Sequence, residues 1–132
     1  MSTLDAVIAT RLRTFAPLAA LIGGRVYPVH APQTAITPLV VYSRIARERQ
    51  SGMGSDSLLS ADRIQIDCYA TTYGGMIAVK RQVDAALRRH MDGAATPPIR
   101  GVLAATEQNW YEPEVSQYRA ILEYDVWHEE AA

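Results

Sequence analysis

Cysteine is nearly absent from this chain: Cys68 is the one thiol in 132 residues. A single thiol excludes an intrachain disulfide and a cysteine-based zinc cage, and it is compatible with a reducing compartment. Net charge is equally scarce. Thirteen lysines and arginines against fourteen acidic residues leave −1 at neutral pH, so no global electrostatic footprint points to DNA, RNA or an anionic membrane. Long apolar runs are missing too. The stretch from Leu4 to Ile22 is broken by Asp5, Thr10, Arg11, Arg13 and Thr14 and does not read as a membrane span. With Asp5 so early, the N-terminal region lacks the basic, apolar, small-residue order of a signal peptide. The expectation is a soluble, intracellular protein.

Catalytic patterns are thin. His30, His90 and His128 fall in a loop, a helix end and a strand end, without the H-x-x-x-H or H-E-x-x-H spacing of a metal site. His128-Glu-Glu130 reads as a solvated chain end. Gly52-Met-Gly54, with Ser55 and Ser57, has no lysine nearby and leads into a strand, so it lacks the parts of a phosphate-cradling loop. Glu112 and Glu114 flank Pro113 in an exposed turn, where neither carboxylate is desolvated enough for acid–base work. Cys68 sits on the apolar phase of its strand and reads as a small hydrophobe. No cofactor motif is present.

What the sequence does have is patterned sheet surface. From Arg63 to Cys68 polar and apolar residues alternate strictly, as in a half-buried strand. The run then passes into helical spacing. Tyr118 to His128 repeats the alternation near the C-terminus. At 132 residues the chain reads as one domain, residues 1–132, able to bury roughly two-thirds of its unfolded surface. Hydrophobic content of 48% and charged content of 20% are ordinary for a globular protein.

Leu4, Val7, Ile8, Leu12, Phe15 and Ala19 share one helical face. Ser2 or Thr3 can cap that helix, Pro17 breaks it, and a short second turn runs to Gly23-Gly24. Arg25 to Val29 and Leu39 to Ile45 read as strands, the second on β-branched and aromatic content. A loop follows from Arg47 to Ser60, longer than a hairpin needs. Then come a strand from Asp62 to Ala70, a helix from about Tyr73 to Met91 with Met76, Val79, Val83, Ala86, Leu87 and His90 or Met91 inward, and strands Ile99–Trp110 and Gln117–His128. Runs of strands with two helices, and no regular βαβ alternation, imply an α+β fold. The sheet is expected to be mainly antiparallel, with four to five strands packed against two helices.

Ile64, Ile66, Cys68, Ala120, Leu122, Tyr124 and Val126 are the expected inward residues of that sheet. Arg63, Gln65, Asp67, Arg119, Glu123 and Asp125 take the other face, with Ile121 and Trp127 among them. Two large apolar side chains exposed on a charged face read either as a contact surface or as residues partly covered by a loop. Arg44, Arg47, Arg49 and Arg63 form the densest basic patch, diluted by Glu48 and Asp56. It reads as a weak phosphate contact, as intersubunit ion pairs or as a solvated face.

The succession Gly24-Arg-Val-Tyr-Pro28, Pro38-Leu-Val-Val-Tyr42 and Arg63-Ile-Gln-Ile-Asp-Cys-Tyr-Ala-Thr-Thr-Tyr73 resembles the tail-completion proteins of long-tailed phages. So do Val83-Asp-Ala-Ala-Leu87, Trp110-Tyr-Glu112, Tyr118-Arg119 and Tyr124-Asp-Val-Trp127. Such proteins are also called tail terminators or tail-to-head joining proteins, and the resemblance runs from about Leu4 to Glu129. It implies a non-enzymatic virion subunit, without cofactor, that assembles in the host cytoplasm into a hexameric ring at the tail–neck junction. Tail tube protein would lie on one side of the ring and a head-completion or neck protein on the other. DNA would pass through the lumen without sequence-specific binding, and no membrane is involved.

The sequence departs from the family pattern at Gly74-Gly75, each costing about 1 kcal/mol against alanine in a helix, and at Cys68, where a larger aliphatic is usual. A ring subunit needs two non-identical complementary surfaces. Interface candidates are Arg44, Arg47, Arg49 and Arg63, then Met53, Asp56 and Leu58 in the Arg47–Ser60 loop, then Ile121 and Trp127. The loop is expected to order on assembly. Two alternatives stay open: another neck or head-closure component, and a small α+β enzyme or ligand-binding domain whose pocket would involve Tyr42, Asp67 and Arg119.

Overall fold

The computed structural model describes residues 4–32, 35–49, 59–88, 90, 91, 93 and 99–129. Helices α1 (Leu4–Thr14) and α2 (Ala16–Ile22) lead into strands β1 (Val26–Pro28), β2 (Leu39–Arg49) and β3 (Leu59–Ala70). Helix α3 (Tyr73–Leu87) and strands β4 (Ile99–Glu112) and β5 (Gln117–Glu129) complete the chain. The five strands form one sheet in the order β1-β2-β3-β5-β4. Every pairing is antiparallel except β1 with β2, as the α+β reading expects, and three helices rather than two supply the second layer.

The helices form where the apolar spacing puts them. In α1, Leu4, Ile8, Ala9 and Leu12 are buried. The helix stops at Phe15, whose extended backbone (φ −73°, ψ 107°) starts α2, with Pro17 in the first turn. Proline suits that place because first-turn N–H groups have no helical partner to lose. Gly23 ends α2 in the left-handed region (φ 59°), its N–H donating to the Ala19 carbonyl, a conformation glycine adopts without strain. In α3, Met76, Val79, Val83, Ala86 and Leu87 are buried, and the Thr72 hydroxyl caps the first turn by accepting from the Gly75 N–H. The helix ends at Leu87, earlier than its spacing implies.

Alternation dictates the rest. Ile64, Ile66, Cys68, Ala120, Leu122, Tyr124 and Val126 are all buried against the helices, in one core with Leu12, Leu18, Ile22 and the inner face of α3. Tyr124 satisfies its hydroxyl there by donating to Asp84 Oδ1 at 2.9 Å. Among the described residues, the opposite face of β3 and β5 carries no helix.

Two strand readings change. Arg47, Glu48 and Arg49, expected in a loop, extend β2 by pairing with Asp62, Ala61 and Ser60, because main-chain pairing outweighs their polar composition. Residues 50–58, with Met53, Asp56 and Leu58, lie outside the described residues. Strand β4 runs to Glu112 despite Ala104 and Ala105, and the register shifts there, between Ala104 and Thr106.

The two helix-start glycines are not equivalent. A Cβ at Gly74 meets open space, whereas one at Gly75 would come within 2.8 Å of the capping Thr72 Oγ1. Gly74→Ala is therefore expected to raise unfolding free energy by up to about 1 kcal/mol. Gly75→Ala is expected to lower it by about 0.5–2 kcal/mol through the damaged cap. Urea unfolding midpoints of the two variants check this: opposite shifts are expected, and equal shifts would refute the account of the cap.

Candidate functional site

The uncovered sheet face is built from the polar phase of β3 and β5. Arg63 forks onto Asp125, Nε to Oδ1 at 3.0 Å and Nη2 to Oδ2 at 3.1 Å, with Glu123 Oε1 at 3.8 Å. Those carboxylates raise the Arg63 pKa, the hydrogen-bonded Asp125 most of all. Farther along, Arg119 lies between Asp67 (3.0 Å) and Glu112 (3.1 Å) and over the Tyr69 ring, and Gln65 donates to Asp67. Burial works against the Arg119 cation, yet the two carboxylates more than offset it and raise its pKa. The charges of this face are thus spent mostly on one another.

Ile121 and Trp127, left open between an exposed contact surface and a partly covered one, are half-buried. In register Trp127 lies between Ala61 and Gly101, and Ile121 between Asp67 and Gln108. Small neighbours give the indole room beside them on the sheet.

Of the three residues singled out for a pocket, the structure unites Asp67 and Arg119 but not Tyr42, which packs on the core side. Asp67 and Arg119 line an open cleft of about 480 Å³ at one end of the sheet, between residues 29–41 and the β4–β5 turn. Its lip includes Val29, 72% exposed at φ 65°, and Val115, 59% exposed. The His30 N–H donates to the Pro28 carbonyl, closing a tight three-residue turn around Val29 that is strained for a β-branched residue.

The basic patch divides. Arg44 shares the inward phase of Val40 and Tyr42 and lies on the helix side, bonded to Asp62 (3.1 Å) and near Asp5 (3.4 Å). Arg63 stays on the open side. Arg47 and Arg49 follow at the far end of β2, opposite Asp62 and Ser60.

Sequence reasoning missed two features. Asp62 is fully buried, and His128, expected to be solvated, is 5% exposed with Nε2 3.4 Å from Asp62 Oδ1. The signal was there: Asp62 shares the apolar phase of Ile64 and Ile66, and His128 that of Tyr124 and Val126. Neither residue lines the cleft beside Asp67 and Arg119. The second feature is β4. It forms an edge of the sheet, exposed at every residue from Leu103 to Tyr111, with Leu103, Trp110 and Tyr111 the large apolar ones. The weak alternation of β4 carried that signal.

Comparison with known families decides the identity. The model of the family "Tail completion protein gp17" matches residues 6–129. The chain belongs to that family. A chain described as "Virion of native gene transfer agent (GTA) particle" shares the fold, with a TM-score of 0.76 and 20% sequence identity over 96% of this chain and 94% of that one. No curated protein matches. Family membership makes this a structural tail protein.

Two outcomes follow from the site. Arg119→Ala strands Asp67, whose side chain is 8% exposed. Removing one partner of a buried ion pair costs about 3–5 kcal/mol, discounted to about 2–3 because water reaches a quarter of the Arg119 side chain. Denaturant unfolding measures this, and a change below about 0.5 kcal/mol would refute it. Second, Cys68 is fully buried and its thiol is pushed well above the ordinary range by burial first and by Asp67 next. A thiol reagent at neutral pH should label it only at the rate of unfolding. Labelling as fast as free cysteine would contradict its place in the core.

Proposed function

We propose that this chain is the subunit of a ring that terminates the phage tail tube and joins it to the head or neck. The observation that carries the assembly reading is β4. A strand of 14 residues at a sheet edge, exposed through its middle and bearing Leu103, Trp110 and Tyr111 in water, is a liability that lone proteins avoid. It is of the kind that another chain completes, and family membership supplies the context in which that chain is found.

The chemistry of the polar groups supports a structural role over a catalytic one. Arg119 is neutralised by two carboxylates, and Cys68 is held as a buried thiol. The ring has tail tube protein on one side and a head-completion or neck protein on the other, with DNA passing through the lumen without sequence-specific contact. It is hexameric, resides at the tail–neck junction of the virion, and forms in the host cytoplasm. Arg44, Arg47, Arg49, Met53, Asp56, Leu58, Arg63, Ile121 and Trp127 are its proposed contact residues.

Mixing the purified chain with growing tail tubes tests this reading. Electron microscopy should show one ring at one end of each tube and arrested length; unbounded growth with bare ends would refute a terminator and favour another neck component. A paired substitution, Leu103→Glu with Trp110→Glu, should leave the free chain's unfolding within about 0.5 kcal/mol, as for exposed sites, and abolish capping. Capping at the normal level would remove β4 from the interface.

A further inference from the structure

The helix layer stops short of β4. Helix α3 packs on β3 and β5, while β4 is exposed at every residue from Leu103 to Tyr111. Between α3 and β4 this leaves an open cleft of about 250 Å³, walled by Lys80, Arg81, Asp84 and Arg88 on the helix and by residues 104–107 on the strand. Small side chains at Ala104 and Ala105, where the register shifts, keep the strand wall low. The charges of the cleft do not cancel. Lys80 is held by Glu107 and by Asn109 at 3.4 Å, and Arg88 by Asp84 at 3.1 Å. Arg81 is exposed and makes no hydrogen bond or ion pair among the described residues. One cation is thus left over, beside a strand whose outer main-chain edge has no partner in the sheet.

The two sides of β4 also differ. Pairing with β5 puts Leu103 opposite Asp125 and Trp110 opposite Arg119, on the open face. Glu107 lies opposite Leu122 and Asn109 opposite Ala120, on the helix side. A strand added to that edge alternates in the same way. One set of its side chains then lies beside Leu103 and Trp110, and the other beside the wall of α3. We infer that β4 takes up an extended segment of another virion protein, apolar on the first phase and acidic on the second, with a carboxylate on Arg81. This inference rests on the assembly reading of β4 above and names the partner's chemistry. Main-chain pairing supplies the adhesion and side-chain contacts supply the choice of partner. A guanidinium suits a carboxylate because two parallel N–H groups meet its two oxygens. Nucleic acid fits the cleft poorly, since Asp84 and Glu107 line it and a strand edge pairs with main chain rather than phosphate. The other edge strand of this chain, β1, is three residues long, Val26-Tyr-Pro28, without an acid, so it is not the complement.

Titrating the purified full chain with two synthetic peptides tests this, one alternating valine with glutamate and the other valine with lysine. Amide exchange across β4 is the readout. The glutamate peptide should slow exchange at alternate residues between Leu103 and Tyr111 at least tenfold, and the lysine peptide should bind at least tenfold more weakly. Arg81→Glu should reverse that preference without moving the unfolding midpoint, because Arg81 holds no contact in the free chain; Arg81→Lys should keep it. Equal binding of the two peptides, or no protection of β4, would overturn the inference. So would tighter binding of a DNA duplex, lost in Arg81→Glu. Each of these leaves the ring reading standing if the wild-type chain caps tubes. Absence of capping with the peptide preference intact would overturn the ring reading alone.

Discussion

The pairing of β3 with β5 is the constraint on which the rest of the structure depends. It runs without interruption from Leu59 opposite Glu129 to Ala70 opposite Tyr118. Side chains alternate along a strand, so a slip of β5 by one residue against β3 would turn Ala120, Leu122, Tyr124 and Val126 out to water and bring Glu123 and Asp125 toward the core. Burying one apolar side chain of this size is worth about 1.5–3 kcal/mol, and several move together. The correct register therefore wins by a margin that no ion pair on the open face could supply.

That register also decides what is left over. One face of the sheet is used up by α1, α2 and α3. The other is held level by paired charges, among them the fork of Arg63 on Asp125 and the bridge of Arg119 between Asp67 and Glu112. The more exposed Arg63–Asp125 pair contributes little to stability, unlike the more buried Arg119–Asp67 pair, but both fix side chains in place and penalise partners with mismatched charge. Beyond them lie an open edge strand and the cleft between it and α3. These surfaces are stable in a folded subunit and incomplete without neighbours, which is the physical condition of an assembly component.

Much of this was legible in the sequence because it is local. Alternation from Arg63 to Cys68 and from Tyr118 to His128 gave the inward residues, and helical spacing gave the inner faces of α1 and α3. What was not legible depends on contacts between distant segments. His128 read as a solvated chain end, although it shares the apolar phase of Tyr124 and Val126, because the buried Asp62 beside it comes from a distant strand. The four arginines read as one patch, but Arg44 pairs with the inward Ile64 while Arg63, next to Ile64 in its strand, takes the opposite face. The exposure of β4 follows from strand order, since the same sequence between two neighbours would be covered. The exposure of Trp127 stayed open because its cross-strand neighbours, Ala61 and Gly101, are set by pairing rather than by its own segment.

The central claim is that family membership and an open edge add up to a ring at the head-proximal end of the tail. Electron microscopy of the native particle tests it most directly, with density resolved well enough to trace this chain. The account predicts one closed ring of this fold between the tail tube and the neck, its β4 edges covered. Finding the chain elsewhere in the particle, or finding no copy of it in particles that are otherwise complete, would contradict it.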